Sequence, residues 1–198
     1  MENTRFIRKQ EGGLEEALLD LRRVTKVTKG GKNMRFRAAI VMGDKNGRIG
    51  FGMAKAAEVP KAVEKAKIKA QKNMITFPII DGTIPFAIDI KFKSAKIFLK
   101  PASAGTGLIV GRLIRPLVEL SGITNILSKV EGCRDKVVNA QAMMAAFSEL
   151  TMLYNHFEQH KKKSNKTAVK PKQEKSKNKI KSNKITKKSQ AKSAPKKK

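Results

Sequence analysis

The sequence predicts an α+β protein that consists of two folded units and a lysine-rich C-terminal tail. Between residues 14 and 157, apolar residues alternate between a period of two, typical of strands, and a period of about 3.6, typical of helices. The turn sequence Asp44-Lys45-Asn46-Gly47 separates two of the alternating stretches. After residue 157 the apolar periodicity ends and lysine becomes the commonest residue. We therefore divide the chain into three parts, residues 11–74, 75–157 and 158–198.

The first unit is predicted to have the element order α-β-β-β-α, which is that of a double-stranded-RNA-binding domain. Leu14, Leu18 and Leu21 recur at helical spacing and predict the opening helix. A strand that contains two threonines follows this helix and ends at Lys29-Gly30-Gly31-Lys32. Domains of this kind read the shape and the phosphates of an RNA helix rather than its sequence.

Two further strands and a helix complete the first unit. In the strand predicted at residues 34–42, apolar residues share one face, and Arg35 and Arg37 lie on the other. In the strand at residues 48–54, Gly50 and Gly52 share a face that another backbone can approach closely. Pro60 suits the first turn of a helix that runs to about residue 74. The inward face of this helix is predicted to carry Val63, Ala66, Ala70 and Met74, and the outward face Lys61, Lys65, Lys69 and Lys72.

The second unit is predicted to have the order β-β-β-α-β-α. Its first three strands are expected at residues 75–80, 86–92 and 95–99. A helix is expected over residues 108–120, with a kink at Pro116, because proline inside a helix removes a hydrogen bond. A short strand at residues 125–130 and a long helix from Val137 to Tyr154 follow.

The charge of the chain predicts a polyanionic partner. The 198 residues include 44 lysines and arginines against 16 acids, which gives a net charge of +28. Residues 161–198 contain 17 lysines and one glutamate, a net charge of +16, so the remainder carries +12. Because the tail has too few apolar residues to form a core, we predict that it is disordered. The periodic part of the chain therefore has to display its own positive charge on a folded surface.

The cysteine content and the apolar runs predict a cytoplasmic protein without a membrane segment. Cys133 is the only cysteine, so an internal disulfide is excluded and a reducing compartment is expected. No apolar run approaches the roughly 20 residues of a membrane span, and the N-terminal residues do not resemble a secretory signal.

Catalytic signals are weak, and we expect no catalytic residue, metal or cofactor. The small-residue loop at residues 101–107 could cradle a phosphate, in a setting similar to that of galactokinase-type and homoserine-kinase-type enzymes. It matches neither common nucleotide-binding motif, and the acids of the second unit form no magnesium cluster. His156 and His160 lack a third metal ligand, and Cys133 lacks a histidine base. A phosphotransferase and a free double-stranded-RNA-binding regulator remain the alternatives to an RNA-bound structural protein.

Five stretches of the chain are long and specific enough to be compared with a family pattern. The longest are Arg23-Val24-Thr25-Lys26-Val27-Thr28-Lys29-Gly30-Gly31-Lys32 and Gly43-Asp44-Lys45-Asn46-Gly47-Arg48-Ile49-Gly50-Phe51-Gly52. Shorter matches are Ala54-Lys55-Ala56-Ala57-Glu58-Val59-Pro60, Lys72-Asn73-Met74-Ile75, and Pro101-Ala102-Ser103 with Gly105-Thr106-Gly107. These stretches resemble the bacterial ribosomal protein S5 family of the small subunit, and the resemblance covers about residues 11–150. It departs from the family pattern at Ala104, Arg112, Arg134-Asp135-Lys136 and Asn139.

The resemblance implies a protein without enzymatic activity that binds small-subunit ribosomal RNA and supports subunit assembly. It also implies a role in translational accuracy near the path by which messenger RNA enters, with ribosomal proteins number four and number eight as neighbours. The loop from Lys26 to Lys32 is similar to the one that approaches the spectinomycin site, and Arg112 and Arg115 are candidates for protein contacts. The expected RNA-binding residues are Arg22, Arg23, Lys26, Lys29, Gly30, Gly31, Lys32, Arg35, Arg37, Arg48 and Lys55.

Overall fold

A five-stranded antiparallel sheet forms the first half of the chain. The computed structural model describes the backbone of residues 7–9 and 13–169 and the side chains of residues 13–161. The sheet has the order β1-β2-β3-β4-β5, and helix α1 (Val59–Lys72) joins its last two strands. The strands are β1 (Ile7–Lys9), β2 (Glu15–Thr28), β3 (Gly31–Gly43), β4 (Arg48–Ala56) and β5 (Met74–Thr76).

The predicted opening helix was wrong, because residues 15–28 form strand β2. A β-bulge between Leu18 and Asp20 shifts the alternation of β2 by one residue. Leu18 lies opposite Ile40 and Leu21 opposite Ala38, so both point to the sheet face that helix α1 covers. The bulge thus produces the four-then-three leucine spacing that imitates a helix. The first unit has the order β-β-β-β-α-β instead of α-β-β-β-α.

The inner half of β3 is buried on both faces. Ala38, Ile40 and Met42 pack under α1, while Ala39 and Val41 belong to the apolar cluster on the opposite face. Each of these five side chains is at most 2% exposed. The sheet therefore lies between two layers at this point.

Helix α1 approaches strand β4 closely, as the paired glycines predicted. A Cβ atom at Gly52 would collide with the backbone carbonyl of Ala66, and one at Gly50 with that of Ala70. Pro60 lies in the first turn of α1, as expected. Val63 packs at the edge of this contact as predicted, but the buried Ala62 was not predicted, and Met74 begins β5 instead of ending the helix. Small side chains bring α1 onto the sheet without a gap.

A four-stranded sheet and two helices form the second half. Strands β6 (Ile88–Phe92), β7 (Ala95–Pro101) and β9 (Ile126–Glu131) are antiparallel neighbours, and β8 (Leu108–Ile109) runs parallel to β9. Helix α2 (Arg115–Ser121) precedes β9, and helix α3 (Lys136–Val169) follows it. The α+β class is confirmed, as are the strands expected near residues 86–92, 95–99 and 125–130 and the long final helix.

Three boundaries differ from the prediction. Residues 74–76 pair with β4 in the first sheet, so they do not open the second one. The helix expected over residues 108–120 begins only at Arg115, since β8 precedes it, and Pro116 occupies the first turn, where its missing N–H is tolerated. Helix α3 continues to Val169, because a helix that has started extends readily through lysine and glutamine. The helix therefore extends past residue 157, where the tail was expected to begin; residues 170–198 lie outside the described part, and the disorder of the tail stays a prediction.

The two sheets share one apolar cluster, and the described residues up to Tyr154 form one compact unit. The Phe77 and Phe147 rings stack with centroids 4.1 Å apart and an interplanar angle of 6°. The β3–β4 turn docks on the end of α2, since the Lys45 N–H donates to the Leu120 carbonyl at 3.1 Å and the Gly47 N–H to the Ser121 carbonyl at 2.9 Å. Among the described helices, none is long and apolar enough to cross a membrane.

The close contact between α1 and β4 predicts a difference between two glycine substitutions. Gly52→Ala places a methyl group against the Ala66 backbone, so we expect it to lower the free energy of unfolding by about 2 kcal/mol or more. The matched control is Gly30→Ala, because a Cβ atom at Gly30 meets nothing within 4 Å. Urea denaturation of both variants measures the effect. Equal losses of stability would contradict the packing described for α1.

Candidate nucleic-acid interface

Strands β2 and β3 extend beyond the sheet core as an exposed two-stranded ribbon. This distal ribbon comprises residues 22–35, and all of its residues are exposed except Val24, which is partly buried. At its tip the Thr28 hydroxyl donates to the Gly31 carbonyl at 3.0 Å. Gly31 has a φ of 144°, a backbone conformation that favours glycine. The expected glycine loop between lysines is thus the turn of a long hairpin.

The strand register collects positive charge on one face of the ribbon and its base. In antiparallel pairs, residues that lie directly opposite each other project to the same side. Arg22, Arg37 and Lys55 form one row across three strands, and the next rows along the ribbon contain Arg35 and then Lys26. We call these five residues the basic face. It lies on the side of the sheet opposite helix α1.

The opposite side of the ribbon is more mixed. Arg23 lies across from Phe36, and Lys32 lies across from Val27. Lys29 lies in the turn itself. Cations therefore surround the tip of the ribbon, but only the basic face carries them in successive rows.

Two buried or partly buried acids fix the base of the ribbon. Asp20 is 9% exposed, and its Oδ2 lies 2.8 Å from Arg22 Nε and 3.4 Å from Arg37 Nη2. Arg22 Nη2 also lies 3.3 Å from Oδ1 of Asp135, which directly precedes helix α3. Arg22 and Arg37 are consequently positioned by ion pairs, and part of their charge is compensated within the protein.

Sequence reasoning missed these two acids. Asp20 follows the bulge in β2, and a bulge leaves no signal in apolar periodicity. The only sequence signal for Asp135 is its place in a stretch, residues 134–136, that departs from the family pattern. Lys136 adds a third link to β2, since its Nζ donates to the Leu19 carbonyl at 3.0 Å.

Six other cations at the ribbon and its base have charge that is not paired within the described part of the protein. Their side chains are exposed, and none forms an ion pair with another described residue. Long side chains with uncompensated charge are suited to phosphate contacts, because each contact releases a counterion from the nucleic acid. These residues are Arg23, Lys26, Lys29, Lys32, Arg35 and Lys55.

Arg48 does not belong to the basic face. It begins β4, seven residues or about 23 Å from Lys55 along the strand, and its odd separation places it on the other sheet face. Its Nε lies 4.0 Å from Asp44 Oδ2. The structure therefore separates Arg48 from the other predicted RNA-binding residues.

Arg115 begins α2, and Arg112 lies in the turn that precedes the helix. Arg115 Nε lies 3.0 Å from Glu119 Oε1 in an i,i+4 pair along the helix. Arg112 is exposed, and the described residues offer it no ion-pair partner. Of the two, Arg112 is therefore the arginine whose unpaired charge can interact with a neighbouring molecule.

The loop at residues 101–107 is not built as a phosphate cradle. Three of its backbone donors are already used, because the Ala102 N–H donates to Thr83 Oγ1 at 3.2 Å, the Thr106 N–H to the Ser103 carbonyl at 3.2 Å and the Gly107 N–H to Asn125 Oδ1 at 3.0 Å. The loop leads into strand β8, so no helix N-terminus points at it. The loop therefore lacks the helix N-terminus that a nucleotide-binding phosphate loop uses, and it does not favour the phosphotransferase alternative.

The remaining candidates for chemistry are the histidine pair and Cys133. Nε2 of His156 lies 3.2 Å from Nε2 of His160, and the Cys133 Sγ accepts a hydrogen bond from the Asp135 N–H at 3.4 Å. Across the described part of the chain, no three histidine, cysteine or acidic side chains come together as a metal site.

Comparison with known proteins identifies the family. The family model described as ribosomal protein S5, N-terminal domain, matches residues 14–78, and that described as ribosomal protein S5, C-terminal domain, matches residues 90–159. The chain is 46% identical over 147 residues to the small ribosomal subunit protein uS5 of Thermosipho africanus, a match that covers 74% of this chain and 84% of the relative.

Two further relatives with the same name agree with this result. The Chloroflexus aurantiacus protein is 44% identical over 141 residues, which cover 71% of this chain and 79% of the relative. The Thermus thermophilus protein is 44% identical over 140 residues, which cover 71% of this chain and 86% of the relative. Since the two domain models together match more than half of the chain, it belongs to the ribosomal protein S5 family and is a structural ribosomal protein rather than an enzyme.

Proposed function

We propose that this protein is a constituent of the small ribosomal subunit that binds ribosomal RNA through the distal ribbon and its basic face. The observation that carries the proposal is that cations occupy successive cross-strand rows of the basic face along an exposed ribbon. The names of the relatives, all small ribosomal subunit proteins, support the assignment to that subunit. Under this proposal the protein acts in the cytoplasm.

The ribbon is suited to RNA by its shape as well as its charge. Rows of the same face are two residues apart, which is about 7 Å along the strands. Lys26, Arg35 and the Arg22–Arg37–Lys55 row therefore present cations at regular intervals over roughly 14 Å. This regular spacing suits the phosphates and riboses of structured RNA, because these groups repeat along the RNA backbone whatever the base sequence. Gly30 and Gly31 leave room for a close approach at the tip, since a Cβ atom there would meet nothing within 4 Å.

The proposal extends to the finer roles that the resemblance to the family implies. An RNA-bound ribbon that is fixed at its base by Asp20 supports assembly, because it holds an RNA segment against a rigid protein body. We place the protein near the path by which messenger RNA enters, where it influences translational accuracy, with ribosomal proteins number four and number eight as neighbours. Arg112, which is exposed without a described ion-pair partner, is the better candidate for a protein contact than Arg115. Residues 11–74 would be the RNA-binding unit and residues 75–157 the second unit in this arrangement.

Sedimentation of a cell lysate through a sucrose gradient tests the assignment to the subunit. We expect the protein to migrate with small subunits in a one-to-one ratio to their RNA, as measured by immunoblotting of the fractions. A protein that remains at the top of the gradient would instead be a free RNA-binding regulator.

The ribbon predicts a local effect of charge reversal at Lys26. Lys26→Glu should weaken binding to small-subunit ribosomal RNA roughly tenfold, because it removes a phosphate contact and adds repulsion. Its free energy of unfolding should change by less than about 0.5 kcal/mol, since the side chain is exposed. Filter binding and urea denaturation measure the two quantities.

The matched control for Lys26→Glu is Lys65→Glu on the outward face of α1. It makes the same change in net charge at an exposed position outside the basic face. An equal loss of affinity in both variants would show that total charge, and not the ribbon, determines RNA binding.

Two arginines of the basic face should separate RNA binding from stability. Arg35→Gln removes an exposed cation and should weaken RNA binding without affecting unfolding. Arg37→Gln should lower the free energy of unfolding by about 1–2 kcal/mol, because Asp20 is 9% exposed and loses one of its two arginine partners. Filter binding measures the affinity for RNA, and urea denaturation measures the free energy of unfolding. Equal stability of the two variants would contradict the anchoring role of Asp20.

A further inference from the structure

The outer face of the second sheet exposes an aromatic ring at its centre. Phe98 lies on β7, which is flanked by β6 and β9, and it is 42% exposed. Its neighbours along the strand, Ile97 and Leu99, point to the other face and are fully buried in the core. A phenylalanine in the middle of an open sheet face exposes apolar surface that its own fold does not cover.

The ring lies at a shallow depression that carries both hydrogen-bond donors and acceptors. Asp89 on β6 and Lys129 on β9 lie directly opposite Phe98, and Lys96 and Glu131 form the adjacent row. These five residues line a depression of 220 Å³. Pockets for small-molecule ligands usually measure about 300–1,000 Å³, so this depression is smaller than a usual cofactor site.

Two of the four polar side chains in the depression form no ion pair with another described residue. Lys96 Nζ lies 3.2 Å from Asp89 Oδ2, and this is the ion pair that the structure shows in the depression. The side chains of Glu131 and Lys129 are exposed and make no ion pair with another described residue. The face as a whole has four lysines, at positions 91, 96, 100 and 129, against two acids, so it attracts an anionic partner.

We propose that this face binds an unpaired nucleotide of single-stranded RNA, with its base stacked on Phe98. Stacking on an aromatic ring is the usual way in which an open sheet holds an unpaired base. Lys129 and Glu131 can meet the donors and acceptors on the edge of the base. Lys100, two residues from Phe98 on the same strand, is placed to meet the adjoining phosphate. The site does not depend on the distal ribbon.

The chemistry of the depression favours a base over a purely anionic ligand. A phosphate or an acidic peptide seated beside the ring would face the carboxylates of Asp89 and Glu131. A base is neutral and accepts hydrogen bonds as well as donating them, so the mixed lining suits it. The lysine excess around the depression then serves the backbone that carries the base.

The absence of tryptophan from the sequence provides a direct test. In the full chain, Phe98→Trp places a single indole at the proposed stacking position, and a base that stacks on it quenches its fluorescence. The probe is a single-stranded RNA hexamer of adenylate. The matched control is Ile68→Trp, because Ile68 is 53% exposed on helix α1 among lysines, where RNA can approach by charge alone.

We expect the hexamer to quench the Phe98→Trp protein saturably and to leave the Ile68→Trp protein nearly unchanged. In the Phe98→Trp background, Lys100→Gln should raise the half-saturating RNA concentration a few-fold, whereas Lys65→Gln should not. Equal quenching at both tryptophans, or none at position 98, would overturn the proposal. Displacement of the hexamer by poly-glutamate at equal charge would assign the face to acidic peptides, and equal quenching by duplex RNA would exclude an unpaired base.

An affinity measurement supplements the fluorescence. Phe98→Ala should weaken hexamer binding roughly 5- to 150-fold at this site, the range for loss of one base–aromatic stack. Phe98→Tyr, which keeps the ring, should bind like the unmodified protein. Because Phe98 is partly exposed, both variants are expected to fold, and circular dichroism checks this. Equal affinities of the alanine and tyrosine variants would contradict stacking.

Discussion

The burial of the inner half of β3 on both faces is the constraint on which the rest of the structure depends. One face is covered by α1, which reaches the sheet because Gly50 and Gly52 lack side chains, and the other face joins the core shared with the second sheet. The hairpin of β2 and β3 is longer than either covering layer, so both faces of its outer half are exposed. Because the ribbon covers no apolar core, its residues need not be apolar, and many of them are basic. The same chain segment thus serves as the centre of the fold at one end and as the candidate RNA-binding surface at the other.

The ion pairs of Asp20 connect these two roles. Asp20 lies after the bulge of β2, and it binds Arg22 and Arg37 where the sheet ends and the ribbon begins. Asp135 and Lys136 tie the same part of β2 to the start of α3, through Arg22 and the Leu19 carbonyl. Side chains from both halves of the protein thus fix the orientation of the ribbon relative to the protein body. A fixed orientation favours the binding of structured RNA, since a preorganised surface loses less conformational entropy on binding.

The sequence allowed much of the architecture to be predicted, and the errors have physical causes. Period-two patterns and the Asn-Gly turn located β3 and β4 correctly, because alternation reports directly on a strand with different faces. The leucine spacing in β2 was misinterpreted as a helix because a bulge changes the period without leaving a sequence signal. At the candidate site, the exposed lysines of the ribbon follow from composition and motif alone. The anchoring of Arg37 by Asp20 and the separation of Arg48 depend on strand register, which local patterns do not determine.

The salt dependence of RNA binding tests the role of the distal ribbon most directly. The full chain should be compared with a variant in which glutamine replaces the four ribbon cations Lys26, Lys29, Lys32 and Arg35, by filter binding to small-subunit ribosomal RNA at several salt concentrations. Both proteins carry the same lysine-rich tail, so its contribution cancels. Each lost phosphate contact reduces the log–log salt slope by roughly 0.9, and the variant should therefore have a slope shallower by roughly three to four. Parallel lines for the two proteins would show that the ribbon does not contact the phosphates and would contradict this account.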